Sequence, residues 1–303
     1  MSPPAVLVFG STGRTGGAVV NRLLDAHRGG ELRLIAAVRR AEAAAAFEAR
    51  GIEVRQVDLD SAARHGLAPV VAALRDVRRV FLVSGYDVRM LSQTKAVVDA
   101  ARLVGVEHVV HLGVHAEPDT TVVHFGWHQV VEAYLERSGL GHTNLHPTAF
   151  MQNLLMPVMS DAKSAVLTHY VGDAATSWVD TEDIAAVAAA VLRSPAGHHG
   201  QSYGLGTETA TIGGIAALLT DVTGRAWAYE PREPAEFFAA MTAAGADPLY
   251  MDCVRTVFER TGEGSLPEAA ATFDTVQRIT GRPGTSLRDF VERHRRHFEP
   301  AAS

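Results

Sequence analysis

Cysteine is nearly absent. Cys253 stands alone in 303 residues, so no intramolecular disulfide can form, which excludes a secreted, disulfide-stapled scaffold. Long apolar runs are missing too: the longest, Ile184 to Leu192, is under half of the roughly 20 residues a membrane span requires. There is no basic block, and 28 Lys and Arg against 34 Asp and Glu leave a net charge of −6. Phosphate contacts dominate nucleic-acid affinity, so this balance argues against nucleic acid as a direct partner. Met1-Ser2-Pro3-Pro4 lacks the basic start of a signal peptide, and the expected location is the cytoplasm. What is plentiful is apolar residues, 47% of the chain, enough to fill a core without staples. Histidine is in excess. Of fourteen, seven (His108, His111, His115, His124, His128, His142 and His146) crowd one short stretch.

Short β-branched runs alternate with longer amphipathic ones through the first half. Ala5 to Phe9, Leu32 to Val38, Glu53 to Val57, Val80 to Val83, His108 to Leu112 and His142 to Leu145 read as strands. Arg14 to Ala26, Ala41 to Arg50, Ser61 to Leu74, Met90 to Val104 and Thr121 to Arg137 read as helices. Six-fold alternation with crossovers of this length predicts an α/β fold built on a doubly wound parallel sheet. After Pro147 the rhythm breaks into short pieces, scattered prolines and several helices. Asp183 to Arg193 is one of these, N-capped around Thr181 and stopped before Pro195. The expected organisation is a dinucleotide-binding domain over 1–150 and a smaller, mostly helical substrate domain over 151–303. Parts of about 165–210 are expected to return to the first sheet.

Between the first strand and first helix lies Gly10-Ser11-Thr12-Gly13-Arg14-Thr15-Gly16. Glycines at this spacing permit a tight turn, a close backbone approach to a pyrophosphate, and close packing of helix on strand. The helix N-terminus adds N–H groups and a favourable dipole for an anion. Proteins that bind NAD carry Asp or Glu after the second strand to hold the ribose hydroxyls. Here Arg39 and Arg40 stand instead, which favours the 2′-phosphate of NADP(H), with Arg39 the closer contact. At the carboxyl ends of the next strands, Asp58 and Leu59 are placed for the adenine edge. Ser84 and Gly85 are placed for the nicotinamide ribose.

The glycine loop, Val38-Arg39-Arg40, Trp127-His128-x-x-x-Glu132, Pro147-Thr148-Ala149-Phe150-Met151-Gln152-Asn153, Trp178 to Ala185 and Thr280-Gly281-Arg282-Pro283 together resemble the NmrA-like branch of the atypical short-chain dehydrogenases. The resemblance spans nearly the whole chain. It implies a Rossmann sheet and NADP(H), with members that reduce quinones or other electron-poor carbonyls and others that sense the cofactor without turnover. It also places Pro147, Thr148 and Phe150 against the nicotinamide, and Phe150, Asn153 and Trp127 toward a substrate. The usual Ser, Tyr and Lys of the wider family fall by spacing on Gly113, His124 and His128, so all three catalytic side chains are exchanged. Gly113 remains a backbone contact for the cofactor.

His124, His128 and Glu132 are four residues apart on one helix face, beside an apolar stripe of Val123, Trp127, Val130, Val131 and Tyr134. Three readings stay open. One histidine is the acid that protonates the acceptor, a role the ordinary imidazole pKa suits, with Glu132 orienting it. The two bind a metal, for which no third ligand is identifiable. Or they are half-buried polar residues without catalytic work. His108 and His111 point to opposite strand faces, and His146 reads as structural. The preferred function is hydride transfer from NADPH to a quinone-like or conjugated carbonyl acceptor, with a small, apolar, aromatic substrate and no metal. The alternatives are a non-catalytic NADP(H)-sensing regulator that binds a protein partner, and a pathway-specific ketoreductase using His124 or His128 as acid. A homodimer is compatible with either.

Overall fold

A computed structural model describes residues 2–300. Ala5–Val8 (β1) is buried along its whole length, as the continuous apolar run requires of a strand covered on both faces. It runs into Arg14–Arg28 (α1), whose Val19, Val20 and Leu23 are fully buried on one face. Arg33–Val38 (β2), Ala44–Glu48 (α2), Glu53–Gln56 (β3), Leu59–His65 (α3) and Ala68–Ala73 (α4) follow. Then come Arg79–Val83 (β4), Met90–Val104 (α5), His108–Leu112 (β5), Val123–Arg137 (α6) and Gly141–Pro147 (β6). The remaining strands are Ala149–Phe150 (β7), Ser160–Asp161 (β8), Val166–His169 (β9), Thr176–Val179 (β10), Gln201–Leu205 (β11), Glu208–Ala210 (β12) and Ala228–Pro231 (β13). The remaining helices are Thr181–Arg193 (α7), Ile212–Thr223 (α8), Pro234–Ala243 (α9), Pro248–Gly262 (α10), Thr275–Thr280 (α11) and Leu287–Arg293 (α12).

The chain divides into two units. The first comprises Met1–Val114, Gly126–His146 and Ile184–Tyr203. Its sheet has seven strands in the order β11-β6-β5-β4-β1-β2-β3, with β1 to β6 parallel. The order reverses between β1 and β4, which is where a doubly wound sheet opens a crevice at its carboxyl edge. One face is sealed by Leu7, Ile35, Val80, Leu82 and Val109 against Val97, Val98 and Leu135 of α5 and α6. Each such side chain contributes about 1.5–3 kcal/mol through the apolar surface it removes from water. The lip of the sheet therefore rests on a rigid floor.

The second unit comprises His115–Phe125, Pro147–Asp183 and Gly204–Ser303. It holds two three-stranded sheets, β12-β10-β7 and β13-β9-β8. One core gathers Met151, Trp178, Ile215, Leu219, Phe290 and Phe298. Another gathers Met159, Tyr170, Phe237 and Met251. Phe237, Met251 and Trp227 are buried at 5–7% exposure, so they serve as core.

Three element boundaries differ from the sequence reading. The helix expected over 61–74 is broken: Gly66 takes a left-handed φ of +71°, and Pro69 starts the first turn of a separate α4. The expected Ala41 helix begins as a 3-10 turn over Ala41–Ala43 before α2. Thr181 lies inside α7 and does not cap it. The cap is Asp180, whose carboxylate accepts the Glu182 N–H at 2.9 Å. No helix among the described residues is long and apolar enough to cross a membrane.

Candidate active site

The loop after β1 is shaped by its own backbone. Gly10 has φ +64°, and a Cβ there would sit 2.3 Å from Val83 Cγ1, so both conformation and space demand glycine. The Gly13 N–H closes the turn onto the Gly10 carbonyl at 2.8 Å. A Cβ on Gly16 would lie 2.2 Å from that same oxygen, which fixes how closely α1 approaches the strand. The Ser11 hydroxyl donates to the Ala37 carbonyl at 2.7 Å and ties the loop to β2. Gly13 caps α1 without a side-chain acceptor, and the first turn holds no acidic residue. The first-turn N–H groups are thus left for an external anion. Thr12, Gly13 and Arg14 are exposed there, while Thr15 and Gly16 are buried.

Arg39 and Arg40 leave the end of β2 into solvent. Among the described residues neither guanidinium makes an ion pair or a side-chain hydrogen bond. Asp58 caps α3, its carboxylate accepting the Asp60 N–H at 3.1 Å, and Leu59 is half-buried beside it. Ser84 is half-buried past β4 and Gly85 is exposed. These positions line up by register. Val8 pairs with Phe81, Phe81 with Val110 and Val110 with Thr143, so Gly10, Val83, Leu112 and Leu145 form one row along the carboxyl edge.

One residue beyond that row, Gly113 donates its N–H to the Leu145 carbonyl at 2.8 Å. A Cβ on Gly113 would meet Glu132 Oε1 at 2.6 Å and His146 Cδ2 at 3.3 Å. His146 Nε2–H donates to the Glu132 carboxylate at 2.9 Å. His111 Nδ1 stands 3.7 Å from the same oxygen, and the His111 and His128 rings are 5.6 Å apart. His111 is fully buried; burial, and then the charges of His128 and His146, hold it well below the usual imidazole range. The sequence reading missed this group. It treated His111 and His146 as bystanders and assigned Glu132 to His124 or His128. The register contained the missing clue: His111 pairs with Asn144, which sets residues 113 and 146 side by side on one sheet face.

The apolar stripe expected on α6 is also corrected. Val131 of that stripe is buried and Trp127 and Tyr134 are half-buried, but Val123 and Val130 are 54% and 61% exposed, while His124 and Leu135 are buried. The buried face is therefore shifted toward the histidine row and shares Val131 with the stripe. His124 lies in the second unit. Its ring packs on Phe125 and on Tyr250, at centroid distances of 4.5 and 5.2 Å, and burial pushes it down to about 4. Burial thus disfavours the protonated ring that an acid role calls for. Trp127 and His128 are half-buried in the first unit. Among the described residues no group of three or more His, Cys, Asp or Glu is placed to hold a metal ion.

In the second unit, Pro147 is buried, and Thr148 donates its N–H and hydroxyl to the Leu205 carbonyl at 2.9 and 3.2 Å. Phe150 pairs with Val179, and Phe150 and Asn153 are half-buried. The amide of Gln152 donates to Asp180 at 2.7 Å, and Arg293 pairs with the same fully buried carboxylate. Arg282 pairs with buried Asp183 at 2.8 Å, and the Thr285 N–H reaches that carboxylate at 2.6 Å. Of these ties, the Gln152–Asp180 bond anchors the turn that carries Thr148 to Asn153.

The model of the NmrA-like family matches residues 4–265. The chain belongs to the NmrA-like family. It is 32% identical to an NAD(P)H azoreductase from Xenophilus azovorans, over 98% of this chain and all of that protein. It is 34% identical to a (4-alkanoyl-5-oxo-2,5-dihydrofuran-3-yl)methyl phosphate reductase from Streptomyces griseus, over 97% of this chain and 99% of that one. Among solved structures, an NADPH-dependent quinone oxidoreductase from Escherichia coli in complex with NADPH superposes with a TM-score of 0.81. It has 26% identity and covers 96% of this chain and 99% of that chain.

Proposed function

We propose that this NmrA-like protein is an NADPH-dependent oxidoreductase that passes hydride to a quinone-like or conjugated carbonyl acceptor. The single observation that carries the reading is the pairing of an uncapped helix N-terminus with two unpaired arginines at the end of the next strand. A dinucleotide phosphate fits these residues. Gly10, Gly13 and Gly16 keep the backbone close, the α1 N–H groups with Thr12 and Arg14 take the pyrophosphate, and Arg39 and Arg40 take the 2′-phosphate. Asp58 and Leu59 border the adenine, and Ser84, Gly85 and Gly113 border the nicotinamide riboside. Bound NADPH supplies hydride.

The acceptor class follows from what the chain does not offer. Residues 113, 124 and 128 supply no serine hydroxyl, tyrosine phenol or lysine ammonium to protonate a localised alkoxide. An acceptor that spreads the arriving charge over a conjugated system needs less help. The azoreductase and the furanone phosphate reductase among its relatives support such a substrate. Phe150 and Asn153 of the second unit are residues assigned to a flat, apolar ligand, and Trp127 of the first unit is a separate candidate. Purified protein mixed with NADPH and a panel of quinones and enones is expected to consume the reduced nicotinamide absorbance. Tight NADPH binding without turnover on any acceptor would overturn the enzyme reading and leave a cofactor sensor.

A further inference from the structure

Gly113 is not held in a left-handed conformation, so its glycine is not explained by φ. It is explained by room. The Glu132 carboxylate occupies the space that any side chain at 113 would fill, with Oε1 2.6 Å from where a Cβ would stand. That carboxylate accepts the His146 Nε2–H, His111 Nδ1 stands 3.7 Å from it on β5, and the His128 ring of α6 lies 5.6 Å from the His111 ring. The group also stands where chemistry would need it. Gly113 follows Leu112, which pairs with Val83, whose Cγ1 is the atom a Gly10 side chain would meet. Gly113 and the phosphate loop therefore share one lip of the sheet, about 10 Å apart at two strand spacings, and His146 stands one strand farther on.

We propose that Glu132 and His146, backed by His111 and His128, form the proton-supplying group of the NADPH-dependent reduction; the inference rests on that reading of the protein. The acceptor gains two electrons and one hydrogen as hydride, leaving oxidised nicotinamide and an acceptor anion. That anion then takes one proton from the pair, which starts the step as imidazolium and carboxylate and ends it as neutral imidazole and carboxylate. The pair is left one proton short, and water restores it, because the His146 and Glu132 side chains remain 20% and 17% exposed. His111, at 0%, cannot exchange with solvent and serves to position the carboxylate. Of the ionisable groups around the pair, His111 on β5 stands 3.7 Å from the carboxylate, and His128 on α6 packs on His111.

The test uses Glu132→Gln and His146→Asn, assayed with an enone and a series of quinones of graded electron demand. NADPH affinity and the circular dichroism spectrum serve as controls on folding. Loss of a general acid costs most where the reduced anion is the strongest base. We expect kcat to fall about 100-fold on the enone, and by under about tenfold on the most electron-poor quinone. The pH profile of kcat on the enone should lose its dependence on the pair, while NADPH affinity is kept. Gly113→Ala, whose Cβ would stand 2.6 Å from the Glu132 carboxylate and 3.3 Å from the His146 ring, should displace the pair and give the same acceptor-dependent pattern. A loss of equal size across all acceptors, with the pH profile unmoved, overturns the proposal and makes the pair structural. Wild-type protein that binds NADPH and turns over none of the acceptors overturns the reductase reading itself, and this inference with it.

Discussion

Acidification should unfold this protein well above the pH at which carboxylates titrate. His108, His124 and His169 are 3%, 6% and 6% exposed, and burial is the first cause that pushes each ring from 6.5 down to about 4. For His108 the neighbouring charges of His142, His199, His198 and Arg79 add to it. His169 sits among Tyr170, Trp178 and Phe258. Below about pH 7 the unfolded chain binds protons at these sites, whereas the folded chain holds out until about pH 4. Stability is therefore intact at pH 8 and declines with falling pH across that window. At pH 5 each ring costs about 2 kcal/mol, so the three together cost about 6 kcal/mol, a large share of a typical folding free energy. Ordinary carboxylates, with pKa values of about 4, contribute little between pH 5 and 8. Urea denaturation at pH 5 and pH 8 measures the difference directly. His169→Phe, which keeps the aromatic shape, should remove about a third of it. Equal unfolding free energies at the two pH values would refute the reasoning.

Three substitutions probe the cofactor loop and its supports. Gly16→Ala drives a Cβ against the Gly10 carbonyl, 2.2 Å away, and should weaken NADPH binding at least about tenfold in a fluorescence titration. Undiminished affinity would mean the loop is not the pyrophosphate site. Arg39→Ala removes a charge-assisted phosphate contact worth about 1.5–3 kcal/mol, so NADPH should weaken about tenfold or more while NADH is nearly unchanged. Equal weakening of both would discard the phosphate contact. Arg293→Met leaves the fully buried Asp180 without its cation and should cost about 3 kcal/mol, seen as a lowered Tm. An unchanged Tm would show that the Gln152 amide alone satisfies the carboxylate.

The parts of the fold that local sequence dictates were legible. The bounds of α5 and β5 match the apolar pattern residue for residue, and the glycine loop lies where the strand-to-helix transition put it. The α3–α4 break was hidden because a single glycine inside an apolar helical pattern does not announce its φ. The inward face of α6 was misjudged for a related reason. Periodicity groups residues into rows but does not say where the core-facing arc ends, so Val123 and Val130 were grouped with Val131 although only Val131 is buried. The Glu132–His146 pair was illegible because it joins a helix to the following strand, and only the β5–β6 register brings the two residues opposite Gly113. Asp180 and Arg293 are farther apart still in sequence, and nothing local to either residue names the other.

The central claim is that hydride passes directly from NADPH to a conjugated acceptor held by this chain. The most direct measurement supplies NADPH deuterated at the transferable position of the nicotinamide, together with a conjugated enone, and examines the product by mass spectrometry. One deuterium bound to carbon in the reduced product, in step with cofactor oxidation, is the predicted result. A product free of deuterium, or NADPH that is bound and never consumed, would contradict it.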